Sequence, residues 1–192
     1  MVAPAGFNSR KAAQVIAYFA CKNSTRRLNV LKAAKLVYLA DRESLSRFGF
    51  PILDDERVSM PHGPVNSITY SFISGEYEDA GWSEFLRDRS NHELSVRHEA
   101  RTDNWDELSD AEIACLDEVW RKFGGMTQWE IRDWTHDKKN VPEWEDPKGS
   151  SRPIPIDRIL NMLRVDNAAE LAAQIDDFKS IDSLFLSVRA SS

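Results

Sequence analysis

The sequence predicts a mainly α-helical, compact single domain: six or seven helices with a small β-hairpin or a few short strands. Three observations carry this. Apolar residues recur at three- and four-residue spacing through most of the chain, and residues that start or stop helices bound each stretch. Only two short stretches suggest strands, one of them alternating with period two. The chain has 192 residues, 42% apolar and 29% charged, with 8 Gly and 8 Pro. That suits one globular unit, and such a length buries about 70% of its unfolded surface without needing disulfides or metal.

The elements follow in order. Asn8-Ser9 precedes Ala12, Val15, Ile16 and Phe19, which predicts a helix over 9–21. Asn29 is placed to cap a second helix whose segment from Val30 to Ala40 is apolar nearly all round, as expected in the middle of a bundle. This helix runs through Leu45 and Phe48 and stops at Gly49, which can adopt the left-handed conformation, with Pro51 beyond. Arg57-Val58-Ser59-Met60 reads as a short strand, and Pro61-His62-Gly63-Pro64-Val65 as a turn. Pro64 suits the first position of a third helix carrying Val65, Ile68, Phe72 and Ile73 and ending at Gly75. Trp82 to Leu86 adds one helical turn, and Glu93 to His98 alternates as a second strand.

Two capping boxes come next. Ser109 with Glu112 is stapled by Leu108 and Ile113, and Thr127 with Glu130 by Met126 and Ile131. Gly124-Gly125 makes a tight corner between the two helices they open. Glu143 to Pro155 reads as a loop, followed by a helix with Ile156, Ile159, Leu160 and Leu163 inward. Asn167 with Glu170 opens the last helix, whose stripe is Leu171, Ile175, Phe178, Phe185 and Val188.

Composition and motifs bear on function mainly by exclusion. No apolar run approaches the roughly 20 residues that span a bilayer, and the N-terminus lacks the pattern of a secretory signal. Cys21 and Cys115 are far apart, as expected for thiols in a reducing cytoplasm. A cytoplasmic protein without a membrane role is expected. The net charge of −6 argues against nucleic acid as the main partner. However, residues 1–50 carry nine Lys/Arg against Asp41 and Glu43, while residues 101–192 carry 12 basic and 19 acidic side chains. A solvated helix face or a phosphate contact would explain the basic segment.

No nucleophile elbow, phosphate loop or dinucleotide fingerprint is present. His62, His92, His98 and His136 lack metal-ligand spacing, so neither metal nor catalytic residue is expected. Paired carboxylates such as Asp54-Asp55 and Asp176-Asp177 read as solvated surface. The six Trp, nine Phe and four Tyr point instead to a well-filled core or to recognition. Around the second capping box, Ile131 and Trp134 should share a face while Trp129 points elsewhere; Trp144 follows in the loop. His136, near the end of that helix, suits its dipole.

An ordered set of short motifs then resembles a known family. Lys35-Leu36-Val37-Tyr38-Leu39-Ala40-Asp41 is followed by Gly49-Phe50-Pro51-Ile52 and by His62-Gly63-Pro64-Val65 with Tyr70. Thr135-His136, Pro142-Glu143-Trp144 and Pro153-Ile154-Pro155-Ile156 complete it. Together they resemble the Panacea domain of SocA-like antitoxins, often described only as phage-associated proteins, from about Arg10 to Val165. The resemblance implies an antitoxin that binds and neutralises a protein toxin encoded nearby. In at least one branch of the family the antitoxin also delivers the toxin to a AAA+ protease. It implies neither cofactor nor catalysis. The family-typical positions carried over are Lys35, Tyr38, His62, Gly63, Pro64, Val65, Tyr70, Thr135, His136 and Trp144, as interface or scaffold. Lys35, in an otherwise apolar helix, needs a buried partner or a path to solvent.

The expected organisation is an antitoxin domain over 1–165 and an amphipathic helical extension over 166–192. The terminal stripe has three fates open to it: folding back on its own domain, pairing in a homodimer, or lying in a groove of the toxin. Two other functions stay open. One is a DNA-binding regulator of its own operon, built on helices 9–21 and 29–48. The other is a hydrolase of unrecognised type, for which His62 and His136 would be tested.

Overall fold

In the computed structural model the chain is described at residues 3, 4 and 6–190, the side chains of 88–90 and 182–190 excepted. Helix α1 (Ser9–Cys21) starts where Asn8 accepts a hydrogen bond from the Lys11 amide, and α2 (Val30–Phe48) where Asn29 accepts from Leu31 and Lys32. Gly49 ends α2 in the left-handed conformation with φ of +75°. Strand β1 (Arg27–Asn29) lies between these helices, and β2 (Arg57–Met60), β3 (Gly63–Asn66) and α3 (Ser67–Ser74) follow α2. Next come α4 (Ala80–Phe85), β4 (Leu86–Ser90), β5 (Glu93–Val96), α5 (Asp110–Phe123) and α6 (Gln128–His136). The order closes with β6 (Arg152–Pro153), α7 (Ile156–Met162) and α8 (Ala168–Ala190). Both capping boxes form as read, at the starts of α5 and α6.

The strands make two antiparallel three-stranded sheets, in the orders β1-β5-β4 and β3-β2-β6. Two expectations need correction. The described residues form eight helices, not six or seven: α4 is a helix in its own right because Asp79 caps it, accepting from the Trp82 amide at 2.8 Å. Pro64 is not a first helical residue but lies in β3, opposite Ser59 of β2. A proline fits there because β3 is an edge strand, and Pro153 occupies the other edge.

Helix α2 is shared by two apolar clusters. Ala33, Leu36, Val37 and Ala40 join α1, the first sheet and α5 in the larger one. Tyr38 and Leu45 join Val141, Trp144, Ile154, Ile159, Leu160, Ala172 and Ile175 in the other. Of the terminal stripe, Ile175 is buried in this second cluster, and Leu171 covers Gly49, where an added Cβ would meet its Cδ1 at 3.0 Å. Phe178 is 60% exposed, so the stripe divides between core and surface. The side chains of Phe185 and Val188 lie outside the described residues. No described helix is long and apolar enough to cross a membrane.

The uneven charge is largely resolved within the chain. Arg10 reaches Glu84, Asp106 and Glu107, Lys11 pairs with Glu112 at 2.6 Å, and Lys22 with Asp117 at 2.7 Å. The basic first helix thus lies against the acidic approach to α5 and α5 itself.

Candidate functional site

One side of α2 carries polar side chains into the interior, and most of the residues that carry the family resemblance gather around them. Lys35 is fully buried, and its ammonium donates to the Pro64 carbonyl at 2.9 Å. Burial lowers its pKa from an ordinary 10.5 to about 7. Gly63 and Thr135 close the same space: a Cβ at position 63 would stand 2.9 Å from both Lys35 Nζ and Thr135 Oγ1. Lys35, Gly63, Pro64 and Thr135, from α2, β3 and α6, therefore form one junction. Val65 is buried beside Pro64 in the larger apolar cluster.

One turn further along α2, the Tyr38 hydroxyl donates to Glu143 Oε1 at 2.8 Å, and Arg42 Nε donates to the same oxygen at 2.7 Å. Glu143 is fully buried. Burial first, then the adjacent carboxylate, pushes the Tyr38 phenol well above its ordinary range. The neighbouring Trp144 donates from Nε1 to the Met60 carbonyl at 3.1 Å and meets the His136 ring edge-on, with centroids 4.6 Å apart. His136 places Nε2 2.9 Å from the Pro61 carbonyl and Nδ1 3.0 Å from the Arg132 carbonyl. A neutral imidazole has a single N–H for these two acceptors. Trp144 and His136 thus clasp the outer end of the β2–β3 hairpin, while Tyr38 holds the neighbouring Glu143.

A second cluster holds the approach to the hairpin. Asp41 Oδ1 accepts from the Ile52 and Leu53 amides, both at 3.0 Å, while Oδ2 accepts from Arg57 Nη2 at 2.6 Å and Asn66 Nδ2 at 2.7 Å. Asp55 accepts from the Ile68 and Thr69 amides and the Thr69 hydroxyl. It caps α3 in place of Asn66, whose side chain is turned to Asp41. Burial raises the Asp55 pKa, opposed by those bonds from Thr69 and Ile68. The expectation that Asp54-Asp55 is a solvated pair is therefore half wrong. Asp54 is exposed and pairs with Lys179 at 2.7 Å, but Asp55 is buried because α3 lacks another acceptor for its first amides.

Among the carried-over residues, His62 is exposed at the hairpin tip, beside a shallow concavity lined by Arg132, Asp133, His136 and Asp137. Tyr70 stays apart on α3, half-buried against the larger core. Sequence reasoning missed Asp55, Arg57 and Asn66 and gave no role to Asp41 and Glu143. A carboxylate on a nearly all-apolar helix was the available signal for Asp41, since such a charge must find a partner. Trp134 packs on Phe123 with centroids 4.7 Å apart and Ile131 is buried, while Trp129 points outward, as their spacing predicts. No group of three or more His, Cys, Asp or Glu is placed to hold a metal ion among the described residues.

These contacts describe a scaffold: Lys35 ties the hairpin and Tyr38 ties Glu143 to α2, while His136 and Trp144 tie the hairpin tip to α6 and to the segment around Glu143. Comparison with protein-family models matches residues 34–145 to the antitoxin SocA-like, Panacea domain. That stretch holds the whole polar junction and is shorter than the span from Arg10 to Val165 over which the motifs resemble the family. Neither a curated protein nor a solved structure matches the chain.

Proposed function

The chain belongs to the SocA-like antitoxin family through its Panacea domain, and from that premise we propose that it neutralises a protein toxin by binding it directly. The family match carries the reading. A binding role rather than a catalytic one is supported by how the motif residues are occupied: Lys35, Tyr38, Thr135, His136 and Trp144 all have partners inside the protein. With the polar groups of the motif directed inward, recognition falls to surface side chains on a rigid frame, as in other pre-organised inhibitors.

The test is growth rescue. Expressing the product of the neighbouring reading frame alone should arrest growth, and co-expressing this chain should restore it, with both proteins eluting together on size exclusion. Arrest without rescue, or rescue without association, would remove the reading. Delivery to a AAA+ protease and self-association are additions on which this reading does not depend. Control of its own operon by DNA binding has weaker support. Residues 12–20 of α1 and 33–41 of α2 are buried, which leaves little polar surface for base edges, and the cations of α1 face carboxylates of the same chain.

A further inference from the structure

We propose that the toxin docks where α8 crosses the end of α2, seating an apolar anchor on Phe50 and Phe178 and a lysine or arginine side chain in the adjoining cleft; this rests on the antitoxin reading. Six large apolar side chains are exposed among the described residues, and four of them sit around the end of α2 and on α8: Phe48 ends α2, Phe50 follows its cap, and Phe178 and Ile181 are on α8. Phe50 and Phe178 touch edge-to-face at 6.3 Å, and Ile181 follows Phe178 by three residues along α8. Single exposed apolar residues are ordinary, but a cluster of this kind marks a contact surface.

The neighbouring cleft, about 370 Å³, lies between α8 and the β2–β6 pair. Val58, Pro153, Ile154 and Ala172 give it an apolar floor, and Glu56, Asp157 and Asp176 are exposed around it with no ion pair among the described residues. Its two cations are already neutralised: Arg57 by Asp41 at 2.6 Å and Lys179 by Asp54 at 2.7 Å. Arg152 and Arg158, close by in sequence, are turned to Glu145 instead. Apolar walls under unpaired carboxylates suit a long basic side chain, whose aliphatic stem rests on the floor while its charged head meets the acids.

The same charges disfavour a second copy of this chain as the occupant. A two-fold interface would set the patch against itself, carboxylates facing carboxylates with no free cation between them. Part of this surface, Pro153 to Asp157 and the residues of α8, follows the family-matched residues 34–145, whereas Phe50 and the cleft residues from Asp55 to Val58 lie within them. The part that follows the matched residues is where one member can differ from another in its choice of toxin.

The experiment uses the full-length chain and, as probe, the toxin encoded by the neighbouring reading frame. Phe178→Asp should weaken binding at least ~10-fold and abolish rescue, as loss of a central anchor does. The double variant Asp157→Lys with Asp176→Lys should slow association, flatten its salt dependence and weaken binding by a similar factor. Trp129→Ala, on α6, should bind as wild type. Thermal melts should show all three variants folded. If the wild-type chain binds and both patch variants bind within two-fold of it, the docking site is elsewhere and the proposal falls. A wild-type dimer in sedimentation velocity that Phe178→Asp dissociates, with toxin binding intact, would also overturn it. Should the wild-type chain itself fail to bind, the antitoxin reading fails and takes this inference with it.

Discussion

Gly63 and Lys35 leave no room between them: with a backbone φ of +91° at Gly63, a Cβ there would stand 2.9 Å from the buried Lys35 ammonium nitrogen. Gly63→Ala must therefore strain the backbone and displace either the ammonium or the hairpin. The expected loss is about 2–4 kcal/mol of stability, from left-handed strain and overpacking together. Urea denaturation measures it. A change below ~0.5 kcal/mol would mean that the junction yields easily.

Lys35 also sets a pH dependence. Burial lowers its pKa from 10.5 to about 7, so between these values the unfolded chain binds more protons than the folded one. Stability contributed by this group then rises with pH across that window, by up to ~1.4 kcal/mol per pH unit, and is level below it. Lys35→Met removes the titration. Subtracting its unfolding free energy from that of wild type, at steps from pH 6 to 10, should give a rising line above pH 7. Parallel curves would contradict it.

Two adjacent carboxylates should behave oppositely. Asp55→Ala removes the cap of α3 and leaves its amides without an acceptor, at an expected cost of about 2–3 kcal/mol. Asp54→Ala breaks only a surface pair with Lys179 and should cost ~0.5 kcal/mol or less. Equal effects in a chemical denaturation series would refute the distinct roles of the two side chains.

Asp41 and Arg57 form an almost fully buried pair. Asp41→Ala strands the guanidinium, frees the Ile52 and Leu53 amides, and should cost about 3–5 kcal/mol. In the double variant with Arg57→Met, much of that loss should return, because no buried charge is left unpaired. A double-mutant cycle measures the coupling, and strict additivity would argue against the ion pair.

Local chemistry was legible where neighbours in sequence are neighbours in space. The Asn8 and Asn29 caps, the left-handed Gly49 and both capping boxes appear at the residues where they were read, since each closes its hydrogen bonds within a few positions. Strands were less legible. Arg27–Asn29 pairs with residues near 94, and Val58 with Pro153, so three or four residues of weak pattern acquire partners only when distant segments meet. Pro64 was misplaced for the same reason: proline chemistry suits a helix start and an edge strand alike, and pairing decides between them.

The candidate site divides along the same line. Ordered short motifs were enough to identify the family, and the spacing of Leu171, Ile175 and Phe178 announced an apolar stripe. Sequence periodicity could not say which part of that stripe would be covered; the close approach of Leu171 to Gly49 and the burial of Ile175 decide it, leaving Phe178 outside. Nor could it say that Asp55 and Glu143 are interior, or which partners Lys35 and Asp41 meet on their nearly all-apolar helix. A charged side chain off such a helix reads as solvated until a carbonyl, an amide or an opposite charge is brought against it, and those partners come from segments as far as 105 residues away. Sequence alone determined the mainly helical class, the capped ends of the longer helices and the family; the fold decided the remaining helix starts, which polar groups became structure and which apolar ones stayed outside, because burial depends on all of the chain at once.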